Sequence, residues 1–365
     1  MNVDDFVTAG LYSPDAPGAA DRLLLLRHLV DAGASAEEMQ AADRAGLLPW
    51  VAVDRLLADA THGLTREQVA ERVGIPVEFV DRANRALGLP RLSGPAYAEQ
   101  SVAAFAAAAA FFGAEATLQF SRVVGSSIGR IIDAANSLFA HEVGADLQAS
   151  PGSELELARQ AEDATRLLLE LPATIGALFP AYVKDSIRRL RLTDQEPSGD
   201  VRIAVGFVDL VGSTRLAQQL SGRELAQAVG EFETAAYELA LAHDGRIVKF
   251  IGDEAMFVTP DPRSACAIGL GLCEMASGHP RLQGARGAVG FGPTVAQDGD
   301  YYGPVVNLTS RLTSVATAGQ LLGTVALQTA VEATSAGYRF APAGAHTLRG
   351  FDEPIDVVSI VRGTG

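Results

Sequence analysis

Residues 246–258 read Arg-Ile-Val-Lys-Phe-Ile-Gly-Asp-Glu-Ala-Met-Phe-Val, and this stretch decides the fold of the second half of the chain. Two short apolar runs, Ile247 to Ile251 and Ala255 to Val258, flank Gly252-Asp253-Glu254. That is the pattern of a tight β-hairpin in which Gly supplies the turn geometry. Lys249 sits inside the first run and is one of two lysines in a chain whose other basic side chains are arginine. A solvated lysine on an edge strand accounts for such a residue when it stands alone. The acidic turn that follows it, and three further stretches, point to chemistry instead.

Working outward, residues 201–365 alternate strands and helices. Val201 to Val208 and Gly287 to Val295 are apolar strands, and Ile355 to Val361 is a closing strand. Arg223 to Ala242, Pro262 to Ala276 and Val305 to Val315 carry helical spacing. This order predicts an α/β sandwich.

Three stretches join the hairpin as carriers of chemistry. Gly206-Phe-Val-Asp-Leu-Val-Gly-Ser-Thr214 places Asp209 at a strand end, with a short turn entering a helix near Thr214. Backbone N–H groups at such a helix start suit a phosphate. Asp253 puts a second carboxylate on the hairpin tip, and two carboxylates on neighbouring strand ends are what a pair of Mg²⁺ ions needs. Asp300-Tyr-Tyr-Gly-Pro-Val-Val-Asn307 and then Arg311 complete the set; Asn307 and Arg311, four apart, project from one helix face. Each alone is unremarkable.

In order and spacing together, these motifs resemble the catalytic domain of class III nucleotidyl cyclases, over roughly Val201 to Gly365. The resemblance implies that Asp209 and Asp253, with the backbone carbonyl of Leu210, hold two Mg²⁺ or Mn²⁺ ions per active centre. Gly212, Ser213 and Thr214 would line the substrate, although many members have Gly-Phe-Thr there; the serine reads as a subtype. Lys249 and Asp300 would read the purine, Asn307 would orient the ribose, and Arg311 would stabilise charge at the α-phosphate. Adenine offers an acceptor at N1 and a donor at its amino group, matching a Lys donor and an Asp acceptor. Guanine would leave both mispaired. ATP is therefore the expected substrate. The family builds each centre from two subunits, with Lys249, Asp300, Asn307 and Arg311 from one and the two metal carboxylates from the other, so that Lys249 and Asp253 of one chain serve different centres. One copy of every motif is present, so the resemblance implies a homodimer with two shared centres. The competing reading is a nucleotide-binding sensor or helix-turn-helix regulator whose cyclase domain does not turn over.

The first half reads as helices throughout, giving an α+β protein overall: an all-α region 1–179, a linker and switch helix 180–200, and the sandwich 201–365. Arg22 to Ala32, Ala36 to Ala45 and Val51 to Ala58 show helical spacing. Leu64 to Leu89 has the form of a helix-turn-helix, with Thr65 as N-cap, Gly74 in the turn and Pro76 in the next first turn. Its second helix offers Glu78 and Asp81 beside Arg82 and Arg85, a poor reader of a major groove. Tyr97 to Glu142 is apolar almost all round, which suits a buried central helix, a groove for an apolar ligand or a partner surface. Ala158 to Leu171 is amphipathic, with Pro172 expected to stop it. Pro180 to Leu192 is a basic amphipathic helix, and Thr193 to Asp200 a polar linker. The whole region resembles the helical regulatory domains fused to some actinobacterial cyclases. That likeness implies autoinhibition and a pH response, for which His28, His62, His141, His243, His279 and His346 are the titratable candidates.

Composition narrows the classes further. The net charge of −15, with both halves of the chain net acidic, excludes the footprint of a phosphate-backbone binder, so no nucleic-acid partner is expected. The acidic start lacks a signal-peptide pattern. The most hydrophobic window, Val102 to Ala114, is shorter than a transmembrane segment needs, and none is expected. Cys266 and Cys273, two helical turns apart, read as buried thiols of a cytoplasmic protein.

Overall fold

The computed structural model describes residues 1–60, 63–90, 94–144, 154–192, 194–195, 201–333 and 337–363. Two units divide the chain, Met1–Phe179 and Pro180–Gly365.

In the first unit, helices α1 (Val3–Thr8), α2 (Ala19–Asp31), α3 (Ala36–Arg44) and α4 (Val51–Ala60) surround a core of Leu25, Leu26, Leu29, Met39 and Leu48. Asn2 with Asp5 and Ser35 with Glu38 form capping boxes that satisfy the free N–H groups at two helix starts. Helices α5 (Arg66–Val73) and α6 (Val77–Ala86) make the expected pair. Thr65 caps the first, Gly74 turns the chain at φ 71, and Pro76 is the N-cap of the second rather than a residue inside its first turn.

Of the readings for this unit, one is narrowed and one is corrected. The apolar region after Tyr97 forms two helices, α7 (Glu99–Phe112) and α8 (Ala114–Phe139), separated at Gly113 with φ 87, followed by a π-turn at Ala140–Gly144. Much of its surface is uncovered in a single chain: Phe111 is 82% exposed, and Phe112, Phe120 and Leu138 are also exposed. Pro172 does not end its helix. Helix α9 runs unbroken over Glu154–Leu192, its residues from Pro180 belonging to the second unit. Each proline removes one backbone donor. Pro172 and Pro180 are both exposed, so water can satisfy the carbonyls they free, and the Leu- and Ala-rich turns around them carry the helix through. By length and composition, α9 is the one helix among the described residues that could cross a membrane.

The second unit is built on one sheet. Strand β1 (Asp194–Gln195) is the described part of the predicted linker; Thr193 and residues 196–200 lie outside the described residues. Then come β2 (Val201–Leu210), α10 (Ser213–Gln219), α11 (Gly222–Ala242), β3 (Arg246–Ile251), β4 (Glu254–Thr259) and α12 (Pro262–Gly278). The chain continues with β5 (Ala285–Gln297), β6 (Asp300–Tyr302), α13 (Pro304–Val315), β7 (Leu321–Thr324), α14 (Val325–Glu332), β8 (Tyr338–His346) and β9 (Ile355–Arg362). The order across the sheet is β3-β4-β2-β5-β7-β9-β8, with β1 pairing β2 and β6 pairing β5. β5 and β7 run parallel, and the other pairs are antiparallel.

Strand β2 is central and buried on both faces, which is why it reads as a continuous apolar run. Alternation sends Ile203, Val205 and Phe207 to one face, with Met256, Val258 and Val306 of α13. Ala204 and Val208 face the opposite layer, with Phe232 of α11 and Cys266 and Ile268 of α12. Gly206 lies against the fully buried ring of Phe257: a Cβ there would stand 2.1 Å from its Cζ. The predicted hairpin forms between β3 and β4, with Gly252 at φ 65 and a register shift between Ile247 and Lys249. Both thiols are buried, and burial pushes Cys266 and Cys273 up to about 12.

Candidate active site

Alternation along β2 puts Asp209 on the same face as Phe207, beneath α13. Antiparallel pairing sets Glu254 opposite Asp209 on one side and Arg286 opposite it on the other. Asp253, at the hairpin tip, immediately precedes Glu254, so three acidic side chains meet at the ends of β2 and β4. Burial and neighbouring charge raise two of them. Burial first, and then the charge of Asp253, raise Asp209, against an opposing hydrogen bond from Arg286. Burial, then Asp209 and Asp253, push Glu254 up to about 7.

One oxygen of this cluster has no partner. Oδ2 of Asp253 is buried and makes no hydrogen bond, an arrangement that costs free energy unless something positive meets it. Among the described residues no three His, Cys, Asp or Glu side chains converge as a complete metal cage. A divalent ion shared with substrate phosphates needs only one or two protein carboxylates, so Asp209 and Asp253 fit Mg²⁺ or Mn²⁺. Leu210, next along the strand, has its side chain buried.

The chain next turns through Gly212, at φ 75, into α10. A Cβ at Gly212 would meet only the mobile end of the Gln283 side chain, so it is the left-handed backbone that calls for glycine here. Ser213 opens the helix; the side chain of Thr214 lies outside the described residues.

Lys249 and Asp300, distant in sequence, are brought together as an ion pair between Nζ and Oδ2. The other carboxylate oxygen of Asp300 accepts the backbone N–H of Tyr301 at 2.9 Å. Arg246 ties the same corner together: its guanidinium lies 5.7 Å from the Tyr301 ring, and it donates to the carbonyl of Gly299 at 3.3 Å. Asn307 and Arg311 stand elsewhere. Helix α13 packs its Val306, Thr309, Leu312 and Thr313 side inward, and Asn307 and Arg311 are exposed on the side away from the sheet. Within one chain the structure therefore gathers the acidic cluster and the Lys249–Asp300 pair, and leaves Asn307 and Arg311 facing outward.

Arg286, Glu254, Arg246 and Tyr301 are absent from the residues read off the sequence. The signal for Arg286 was a charge at the head of an apolar strand, which acquires meaning only once β5 is known to pair with β2. Of the histidines, His28 bonds Glu162 at 2.5 Å and His279 bonds Glu231 at 2.6 Å. His141 and His346 contact the carbonyls of Ser137 and Ala343, the His243 carbonyl accepts from Thr259, and His62 lies outside the described residues. In the first unit, Trp50, Ala135, Phe139, Leu157, Ala161 and Leu168 line an apolar cavity of about 550 Å³.

Comparison with known proteins adds the following. Residues 2–187 match the family model described as the adenylate cyclase regulatory domain. An adenylate cyclase of Streptomyces coelicolor is 31% identical over 272 residues, covering 72% of this chain and 70% of that protein. A pH-sensitive adenylate cyclase of Mycobacterium tuberculosis is 27% identical over 379 residues, covering 99% of this chain and 92% of that protein. Among solved structures, the adenylyl cyclase CyaB from P. aeruginosa aligns with 45% of this chain and 95% of its own at a TM-score of 0.39 and 24% identity.

Proposed function

The chain belongs to the class III adenylate cyclases that carry this regulatory domain, and on that premise we propose that it converts ATP into 3′,5′-cyclic AMP and pyrophosphate at two centres, each shared between two copies of the chain. The observation that carries the reading is the Lys249–Asp300 ion pair, which would serve one centre while the acidic cluster of Asp209 and Asp253 of the same chain serves the other. Lys249 would donate to N1 of adenine while Asp300 accepts from the amino group, the two exchanging their mutual contact for one that only adenine satisfies in full. Asp209, Asp253 and the Leu210 carbonyl would hold two Mg²⁺ or Mn²⁺ ions. When bound, these ions supply charge neutralisation at the phosphates and a lowered pKa for the ribose 3′-hydroxyl. Gly212, Ser213 and Thr214 would present backbone donors to the phosphates. Asn307 would orient the ribose, and Arg311 would stabilise the charge that grows on the α-phosphate as the 3′-oxygen attacks and pyrophosphate leaves.

The outward face of α13 supports the homodimer. Asn307 and Arg311 point away from their own sheet, so a second copy is needed to bring them to a pair of carboxylates. The exposed apolar residues of α7 and α8 are further surface for such a copy. Regulation by residues 1–179, including autoinhibition through the 180–200 segment, belongs to the same reading, as does a cytoplasmic location, since the regulatory-domain match takes in most of α9. A pH response is supported by the pH-sensitive relative. An apolar ligand is supported by the cavity beside Trp50 and Phe139.

The test is production of cyclic AMP and pyrophosphate from ATP by the purified full chain with Mg²⁺ or Mn²⁺, compared with GTP and repeated across pH. Turnover of ATP that is lost in Asp253→Ala supports the assignment. Nucleotide binding with no cyclic product under any condition would favour a non-catalytic sensor.

A further inference from the structure

Arg286 plays no part in the roles given above, yet all three nitrogens of its guanidinium find acceptors. It sits on β5 directly opposite Asp209, with its side chain 32% exposed and that of Asp209 22% exposed. Nε and Nη2 donate to the same oxygen, Oδ2 of Asp209, at 3.2 and 3.0 Å. The remaining arm, Nη1, points toward the C-terminal end of α13 and donates to the carbonyls of Ser314 at 3.2 Å and Ala316 at 3.5 Å. The guanidinium is thus clamped between a strand-end carboxylate and the last turn of the helix that carries Asn307 and Arg311.

We propose that Arg286 is a positioning residue for cation binding: its fork fixes Oδ2 of Asp209, leaving the other oxygen for the ion, while its third arm holds the end of α13 in register with that carboxylate. The inference rests on the reading of Asp209 and Asp253 as cation ligands. Planar, multidentate donation is what distinguishes arginine from lysine here, because a single ammonium cannot serve a carboxylate and two carbonyls in fixed directions. An exposed surface pair would contribute little to stability and leave ligand affinity untouched. Hydrogen-bond partners behind a ligating carboxylate typically change affinity by about 10–100-fold.

The experiment uses the full chain and measures Mn²⁺ binding by electron paramagnetic resonance in the presence of 3′-deoxy-ATP, which cannot cyclise. Arg286→Gln should weaken Mn²⁺ binding by about 10-fold or more, with an unchanged far-ultraviolet circular dichroism spectrum. Arg286→Lys, which keeps the charge, should fail to restore it; if the Gln variant does not fold, the Lys variant carries the same measurement. In an Asp209→Asn background the Gln substitution should add little. Folded variants that bind Mn²⁺ as tightly as wild type, or more tightly, would overturn the proposal and leave Arg286 a counter-ion only. Rescue by lysine would overturn the part played by the fork. Wild-type chain that binds no Mn²⁺, or an Asp253→Ala variant that binds it equally well, would remove the cation reading itself and the inference with it.

Discussion

A mixture of two dead variants should regain activity, and the size of the recovery follows from which way α13 faces. Asp253 lies at the β3–β4 turn on the sheet, whereas Arg311 lies on the outer side of α13, turned away from that sheet. A centre that needs both must take Asp253 from one copy and Arg311 from the other. An Asp253→Ala homodimer then lacks the carboxylate in both centres, and an Arg311→Ala homodimer lacks the arginine in both. In a mixed dimer one centre collects both lesions and the other collects neither. Equal mixing with free exchange yields about one half mixed dimers with one intact centre of two, so roughly a quarter of wild-type activity should return. The assay is cyclic AMP formation after mixing differently tagged chains, with exchange confirmed by pull-down of one tag through the other. Absence of recovery despite confirmed exchange would refute the shared-centre geometry. Strong activity in either single variant would refute the roles of those residues.

Other outcomes follow from the sheet and its burial. Gly206→Ala should destabilise the second unit by about 3 kcal/mol, because the new methyl meets the buried ring of Phe257; Phe257→Leu should recover part of this in denaturant titrations, and a neutral Gly206→Ala would mean the strand yields. Glu254, raised to about 7, binds a proton in the folded chain that the unfolded chain releases near its ordinary value. Metal-free protein should therefore lose stability as pH rises from about 4.5 through 7. The full shift is worth about 3 kcal/mol, of which solvent screening leaves about 1. Glu254→Gln should flatten that slope, and an unchanged slope in chelator would dismiss the residue as its source. Cys266 and Cys273, pushed up to about 12, should not react with a thiol reagent at pH 8 until the chain is unfolded; rapid labelling of native protein would contradict their burial.

What could be read from the sequence was local. Gly252 and its apolar flanks announce a hairpin, and the unbroken run from Ile203 to Val208 announces a strand covered on both faces. The four-residue β7 is too short to show a period, and β8 is broken up by Pro342, Gly344 and several alanines, so neither was foreseen. Pro172 and Pro180 obey a rule about helix interiors that exposure to water relaxes. The apolar stretch after Tyr97 could not reveal that its residues stand uncovered, because hydrophobicity reports a preference and not the presence of a neighbour. In the site, Lys249 and Asp300 were legible as a pair through the family resemblance, which the hydrogen-bonding pattern of adenine then matched. Arg286 was not, since its meaning depends on a register between strands far apart in the chain.

That separation also sets a clock on biosynthesis. Arg286 follows Asp209 by 77 residues, which at about 5–20 residues per second is roughly 4–15 s of ribosome time. For that interval β2, whose run from Ile203 to Val208 is buried in the finished sheet, exists without one of its two neighbours. The β3–β4 hairpin is completed sooner and needs only its own turn to pair. Nascent chains should therefore protect β2 from one side first, and force measurements on ribosome-bound chains of increasing length should show an early step when β4 emerges and a second when β5 does.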